Sequence, residues 1–382
     1  MHIALNGWFW DQPNTGSGQY LRYLLGALRR TAPDLKLTLV LPPHLRTADD
    51  TPPNVEIVTT RGGSGDLGKV LFEQRTFPQM VSRVNADIAH VPYWGPPLSS
   101  PAPLVTSVLD VIPLALPDYA SGFKQRLYTS LVTAAARGAA HIITISQAAK
   151  DDIVQYVGIP AVSITVTHLA VDEAYHPRMG AERDPAVREK YNLPDRFAFY
   201  IGGFDARKQV NQLLLAYSYV AQAEGDEVAL VLAGHETAWG SLVFPDLRQY
   251  AADLKITDHV RWLGRVDEAD KPSLYRLAEV SVFPSRYEGF GLPVLEAMAS
   301  GTPVVANQIP VIEEIVGDGA FLVENGNARK MAGAILALLG DSSLRETISS
   351  RGLAQATHFS WRKTARQTLE VYEKVYKLAR ES

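Results

Sequence analysis

Apolar runs of four to seven residues, rich in Val, Ile and Leu, recur along the chain, and amphipathic stretches separate them. His2–Asn6, Leu35–Leu41, Val55–Thr59, Asp87–Val91, Leu104–Leu109, His141–Ile145 and Ile164–His168 read as buried strands. Gly16–Arg30 carries Tyr20, Leu21, Leu24, Leu25 and Leu28 at helical spacing, and Phe123–Ala136 and Gln147–Tyr156 read as further helices. A charged, proline-bearing stretch over 172–196 interrupts the pattern, which then restarts. Phe197–Ile201, Val228–Ala233, Val260–Leu263, Val280–Phe283 and Pro303–Ala306 are strands of the second run, with a helix over Arg207–Gln222. Short β-rich runs alternating with helices imply parallel sheets covered on both faces. Two such runs predict two Rossmann-like α/β domains, 1–172 and 173–358, facing each other. Ser360 can cap a final helix with Trp361, Ala365, Leu369, Tyr372, Tyr376 and Ala379 at steps of three and four. That segment, 359–382, reads as a helix docked on a domain surface.

A chain of 382 residues is long for one average domain, in keeping with this division. With 46% apolar and 20% charged residues it has the make-up of a soluble globular protein. Its net charge of −4 gives no electrostatic footprint for nucleic acid. The absence of cysteine excludes disulfides, thiolate metal sites and cysteine nucleophiles, and fits a reducing compartment. Met1–Asn6 runs straight into a strand with no signal-like segment ahead, and no apolar run approaches the ~20 residues of a membrane span. The expected location is the cytoplasm, with peripheral contact at the inner membrane face. Tyr119–Tyr128, which mixes Phe123 and Leu127 with Lys124 and Arg126, is the candidate for that contact.

The densest chemistry lies in Ser285–Gly301, where Glu288 and Glu296 stand with seven residues between them. Gly289 and Gly291 sit in the approach to a helix, Pro293 falls where its first turn starts, and Gly301 where it ends. Glycines permit close backbone approach, and the open N–H groups of a helix start favour phosphate. Glu288 in the loop and Glu296 one turn into the helix would meet different parts of one ligand. A carboxylate there can accept hydrogen bonds from neighbouring sugar hydroxyls, so the run suggests a site for a sugar joined to a phosphate. Taken alone, the glutamate pair is better explained by an ordinary helix with a capping glutamate.

Three more turns follow predicted strands. Thr15–Tyr20 contains Gly16 and Gly18. The turn Gly202-Gly203-Phe204-Asp205-Ala206-Arg207-Lys208 puts two cations at a helix start, where the dipole disfavours them. A diphosphate would answer that demand. The third, Gly264-Arg265-Val266, follows Val260–Leu263. In a doubly wound sheet, ligands sit at such C-terminal strand ends.

These features together resemble glycosyltransferase family 4, the retaining, nucleotide-sugar-dependent enzymes of GT-B fold, over nearly the whole chain. The most specific part is Pro284-Ser285 followed by Glu288-Gly289-Phe290-Gly291-Leu292-Pro293 and Leu295-Glu296-Ala297-Met298-Ala299. Gly203–Lys208 is similar to the family's diphosphate segment, Thr15–Tyr20 to its N-domain glycine loop, and Asp110–Pro113 and Thr144–Ser146 to N-domain landmarks. The resemblance implies that the final helix crosses back onto the N-domain. It implies that Glu296 holds the ribose hydroxyls and that Glu288 faces the donor sugar and the reacting centre. The backbone of Phe290, Gly291 and Leu292 would contact sugar and phosphate, and Val266 would touch the base. Arg207 and Lys208 would neutralise the departing diphosphate, with Gly203 beside them, and Gly16 and Gly18 would approach from the N-domain. Metal and cofactor are expected to be none, the donor being a nucleotide diphosphate sugar and the acceptor a saccharide or lipid-linked saccharide. Similarity of Thr15–Tyr20 and Asp110–Pro113 to bacterial polysaccharide mannosyltransferases points to GDP-mannose. One departure is Leu109, where the family often has a sugar-contacting histidine. His90 is the candidate to fill that space, with Asp110 adjacent and Trp8, beside Phe9 and Trp10, as an aromatic face for an acceptor or a local hydrophobic plug. The alternatives are a catalytically silent nucleotide-sugar binding protein and a GT-B epimerase or hydrolase. A dinucleotide oxidoreductase would need a Gly-x-Gly-x-x-Gly turn with a downstream acid, which the chain lacks.

Overall fold

The structure, a computed structural model, describes all residues except 48, 49, 121, 237 and 382. It divides into two compact units, residues 1–169 together with 360–382, and residues 170–359.

The first unit is built on strands β1 (His2–Asn6), β2 (Lys36–Val40), β3 (Val55–Val58), β4 (Ile88–Val91), β5 (Leu104–Ser107), β6 (His141–Thr144) and β7 (Ile164–Val166). All pair in parallel, in the order β3-β2-β1-β4-β5-β6-β7. In β1 every residue is buried, as expected of a strand covered on both faces. Its register places Leu5 between Leu39 and His90.

The helix Gly16–Thr31 buries Tyr20, Leu21, Leu24, Leu25 and Leu28, the residues its periodicity singled out. Thr15 caps it, accepting from the Gly18 N–H through its side chain. The final helix, Trp361–Glu381, lies against it within the same unit. The Trp361 ring stacks on Tyr23 with centroids 5.1 Å apart and planes 13° from parallel. A buried polar chain ties the same helices to the sheet. Tyr20 Oη and Ser107 Oγ are 3.0 Å apart, His90 Nε2 is 2.9 Å from that Ser107 oxygen, and His90 Nδ1 is 2.6 Å from Tyr372 Oη.

The second unit carries β8 (Phe197–Ile201), β9 (Ala229–Ala233), β10 (Val260–Gly264), β11 (Val280–Phe283), β12 (Val304–Gln308) and β13 (Phe321–Glu324). Their order is β10-β9-β8-β11-β12-β13, again parallel. One face of the sheet packs on Leu213, Leu214 and Tyr217 of helix Val210–Glu224 and on Ile335 and Leu338 of helix Ala328–Gly340.

Three features depart from the periodicity reading. The helix expected from Arg207 begins at Val210, because Ala206–Lys208 form a 3-10 turn and Gln209 takes a left-handed conformation with φ 49°. The cations therefore precede the helix. The helix expected over Gln147–Tyr156 changes to a π-turn at Ile153–Val157 and stops at Gly158, whose φ is +73°. Strand β13 and the helical stretch Gly65–Arg83 carry no clear period. In that stretch Leu67 and Leu71 are exposed while Phe72, Glu73 and Phe77 are buried, since a π-turn over Phe72–Thr76 shifts the face.

Removal of the Trp361 ring is expected to cost the first unit about 3–5 kcal/mol. Denaturant unfolding of Trp361→Ala should show an earlier transition, and an unchanged midpoint would contradict the docking of the final helix.

Candidate active site

Strand order in the second unit reverses at β8 and β11, with β9 and β10 running outward on one side and β12 and β13 on the other. The loops leaving two such neighbours diverge and open a crevice at their C-terminal ends, where ligands of doubly wound sheets bind. The loop after β8 carries Gly203, Asp205, Arg207 and Lys208, and the loop after β11 carries Ser285–Gly291.

The two loops are joined by charge. Arg207 Nη1 donates to Glu288 Oε2 at 2.7 Å and to the Tyr287 carbonyl at 3.0 Å. Lys208 Nζ donates to Glu288 Oε1 at 2.6 Å. Arg207 Nε lies 3.4 Å from Asp205 Oδ1. The three side chains of the cluster are 11–13% exposed. Burial pushes the Glu288 carboxyl up, but Lys208 and Arg207 outweigh it and hold the group below its ordinary range. The conflict between cations and helix dipole read from sequence is thus relieved by the cations' place ahead of the helix and by their shared counterion.

The turn ahead of the cations is set by Tyr200, whose hydroxyl donates to the Gly203 carbonyl at 2.5 Å. Gly203 is confined, since a Cβ there would lie 3.1 Å from Asp205 Oδ2. Gln209 is held by Asn307 Nδ2, which donates to its Oε1 at 3.0 Å and also to the Pro284 carbonyl.

The helix Leu292–Ala299 follows Gly291, whose φ of +121° is a region that side chains disfavour. A Cβ on Gly291 would also come within 2.7 Å of Ile312 Cδ1. Phe290 is buried against Phe359, with ring centroids 6.0 Å apart, so its contribution to a ligand is limited to backbone. Leu292 is half-buried at the first helical position.

Glu296 sits one turn into that helix and has a different environment. Tyr275 Oη donates to its Oε2 at 2.7 Å, and the Tyr175 ring lies 6.0 Å from the Tyr275 ring. Burial raises the Glu296 carboxyl above its ordinary range, against the opposing pull of Lys271 and the tyrosine hydroxyls. Lys271 Nζ is itself paired with Glu268 Oε1 at 2.6 Å. Val266 is buried after β10, beyond Gly264, whose carbonyl accepts from the Gly234 N–H at 2.8 Å.

In the first unit the candidates scatter. Gly16 opens its helix on the surface with nothing within 4 Å of a Cβ. Gly18 is packed against its own loop: a Cβ there would lie 2.0 Å from the Gln12 carbonyl oxygen, and its N–H serves Thr15. His90 is a correction to the sequence reading. It is fully buried, both ring nitrogens are engaged by Tyr372 and Ser107, and burial pulls its pKa down to about 3. It is a neutral core residue and does not replace the histidine missing at Leu109. Trp8 is likewise corrected. Only 6% exposed, it packs with centroids 5.3 Å from both His44 and Phe72, and so forms the hydrophobic plug. Asp110 accepts from the Ile112 N–H at 3.1 Å and shapes the turn after β5. Among the described residues no group of three or more His, Asp or Glu side chains is placed to hold a metal ion.

A family model described as glycosyl transferases group 1 matches residues 184–355, and one described as glycosyltransferase family 4 matches residues 14–175. The O-antigen chain mannosyltransferase B of Escherichia coli is 32% identical over 378 residues, covering 94% of this chain and 96% of that protein. The chain belongs to the group 1, family 4 glycosyltransferases. A D-inositol 3-phosphate glycosyltransferase of Salinispora arenicola is 28% identical, covering 94% of this glycosyltransferase and 88% of its own length. Among solved structures, a sucrose-phosphate synthase from Thermosynechococcus elongatus aligns with TM-score 0.75 at 21% identity, over 99% of this chain and 100% of that one. The Anabaena protein HepE, solved with UDP-glucose, aligns with TM-score 0.73 at 20% identity, over 98% and 100% of the two chains. The fold is GT-B, built from two Rossmann-like units.

Sequence reasoning missed Asp205 as a partner of Arg207, and it missed the tyrosine support of Glu296. Asp205 lay inside the glycine turn already singled out. Tyr275 and Tyr175 reach Glu296 only through tertiary structure and leave no local signal.

Replacing Glu288 by Gln leaves two nearly buried cations without their shared anion, which is expected to destabilise the ligand-free glycosyltransferase by about 3 kcal/mol. Because Glu288 titrates below its usual 4.5 in the fold, its stabilisation is complete above that pH and is lost as pH falls through the folded value. The stability gap between wild type and Glu288→Gln should therefore close on acidification below about pH 4.5, as read from denaturant midpoints. A gap independent of pH would contradict the ion cluster.

Proposed function

We propose that this hexosyltransferase moves mannose from GDP-mannose to a saccharide or lipid-linked saccharide acceptor, with retention of configuration and without a metal. The observation that carries the reading is the Arg207–Glu288–Lys208 cluster at the switch between β8 and β11. A diphosphate leaving group gains negative charge as its bond to the sugar C1 breaks, and fixed cations stabilise that charge selectively. In the structure Glu288 holds both cations. A bound diphosphate would take them over and free the carboxylate to accept hydrogen bonds from donor-sugar hydroxyls. Held below its ordinary range, Glu288 is a weak base, and its role is to position rather than to abstract a proton. In transfer, the C1–O bond to the diphosphate breaks, the acceptor oxygen bonds to C1, and the hydroxyl proton leaves with the diphosphate.

Glu296 is assigned to the ribose hydroxyls. Tyr275 donates to one of its carboxylate oxygens and Tyr175 also hydrogen-bonds the group, so the tyrosines orient the carboxylate that, in this reading, accepts from the ribose. Mannose is supported by the E. coli mannosyltransferase, whose identity runs nearly the whole length of both chains. The reaction is placed in the cytoplasm, where nucleotide sugars and reduced proteins coexist. Contact with the inner membrane face is supported by Phe123 and Leu127, 81% and 62% exposed on one helix, and by Leu67 and Leu71, 73% and 50% exposed on another.

The test is calorimetric titration of GDP, UDP and ADP, without added metal, into wild type and Glu296→Gln. GDP should bind, and should weaken at least tenfold, or ~1.4 kcal/mol, in the variant. The variant should also be at least as stable as wild type near pH 8. The fold raises the Glu296 value, so the ionised carboxylate costs stability as pH rises through it, and Gln removes that cost. Equal GDP affinity in both proteins would overturn the ribose role. GDP binding with no transfer to any saccharide would favour the silent binding protein.

A further inference from the structure

The first unit has its own switch point, between β1 and β4, from which β2 and β3 run one way and β5 to β7 the other. A cluster at the C-terminal ends of these two strands is used by nothing described so far. Lys69 Nζ lies 3.0 Å from Glu73 Oε1 and donates to Tyr128 Oη at 2.5 Å. Tyr128 Oη in turn donates to Glu73, 3.0 and 3.1 Å from its two oxygens. The ammonium also sits among three aromatic rings, 4.5 Å from the centroid of Tyr128, 5.3 Å from Tyr93 and 5.6 Å from Phe9. Phe9 follows β1, Tyr93 follows β4, and their rings meet edge to face at 4.8 Å.

The surroundings are built to hold these groups. The π-turn Phe72–Thr76 turns Glu73 inward, to zero side-chain exposure. Gly95 lets the β4 loop close on it, since a Cβ there would lie 2.3 Å from Tyr93 Cε2 and 2.5 Å from Glu73 Oε1. Asn6, fully buried at the end of β1, accepts from the Trp8 N–H and from Tyr93 Oη. Its Nδ2 has no partner among the described residues, an unmet donor beside the cluster. Lys69, 21% exposed, and the half-buried Phe9 and Tyr128 are the route in from solvent.

We propose that this cluster seats the acceptor, and that Glu73 selects an uncharged saccharide over an anionic one. The inference rests on the transferase reading above. Aromatic faces suit the apolar side of a sugar ring, and the partly exposed Lys69 and Tyr128 offer hydrogen bonds to its hydroxyls, held from behind by the buried Glu73. A lone buried lysine at this place would attract phosphate. Glu73 cancels that charge within one helical turn, and the pair is neutral whichever of the two holds the proton. A phosphate or carboxylate entering here would be a buried charge without a counterion, which is strongly disfavoured.

The test uses the full chain with saturating GDP, titrated with methyl α-mannoside and with mannose 6-phosphate and read by saturation-transfer NMR. Wild type should bind methyl α-mannoside at least tenfold more tightly than mannose 6-phosphate. In Glu73→Gln, Lys69 is left uncompensated, and the ratio should shift at least tenfold toward the phosphorylated sugar, a reversal that mere loosening of the fold does not produce. Phe9→Ala, at a half-exposed position, should weaken methyl α-mannoside at least fivefold, and it decides the matter if Glu73→Gln does not fold. Equal binding of the two sugars by wild type, binding of neither, an unmoved ratio in a folded Glu73→Gln, or wild-type affinity in Phe9→Ala would each overturn the proposal. GDP affinity, measured in the same samples, belongs to the second unit. Its loss would indict the donor reading separately.

Discussion

One carboxylate, Glu288, holds two cations that come from a different strand's loop, and the switch point of the second unit is organised around that contact. Arg207 and Lys208 leave β8 and Glu288 leaves β11, so the ion cluster bridges the point at which the sheet's strand order reverses. Such a cluster adds little net stability, because desolvation of three charges offsets most of their attraction. What it supplies is position. It fixes Gly203–Lys208 against Ser285–Gly291, and it stores two cations in a low-dielectric place where they would be intolerable alone.

The two glutamates of the Ser285–Gly301 run, similar on paper, are made different by their neighbours. Glu288 is kept charged by Lys208 and Arg207, whereas Glu296 is buried beside tyrosine hydroxyls and is pushed toward its neutral form. A group that titrates against the grain of its environment is poised to gain from a ligand that hydrogen-bonds it. The same logic runs in the opposite direction in the first unit. There Glu73 is fully buried against a single partly exposed lysine.

Much of this was legible in the sequence. The strand runs were short and continuously apolar, and the helix Gly16–Thr31 showed its buried face residue by residue, because both elements are decided by burial over a local period. The motif around Glu288 and Glu296 carried the family. What was not legible depended on contacts made at long sequence range. His90 looks like a strand-end ligand until Tyr372, 282 residues away, is seen to occupy it. Trp8 looks like a sugar platform until Phe72 and His44 close over it. The helix start at Arg207 was misplaced because Gln209 adopts a left-handed backbone that its residue type does not announce. The Lys69–Glu73 pair lay in a stretch whose period is broken by a π-turn, so no face could be drawn through it.

The claim on which the rest depends is that Glu288 and the donor diphosphate compete for the same two cations. A crystal structure of the glycosyltransferase with GDP measures this directly. The account predicts that Arg207 Nη1 and Lys208 Nζ, now 2.7 and 2.6 Å from Glu288, turn to diphosphate oxygens and leave the carboxylate beyond hydrogen-bond reach of at least one of them. A bound GDP with both cations still on Glu288 and no contact to the diphosphate would contradict it.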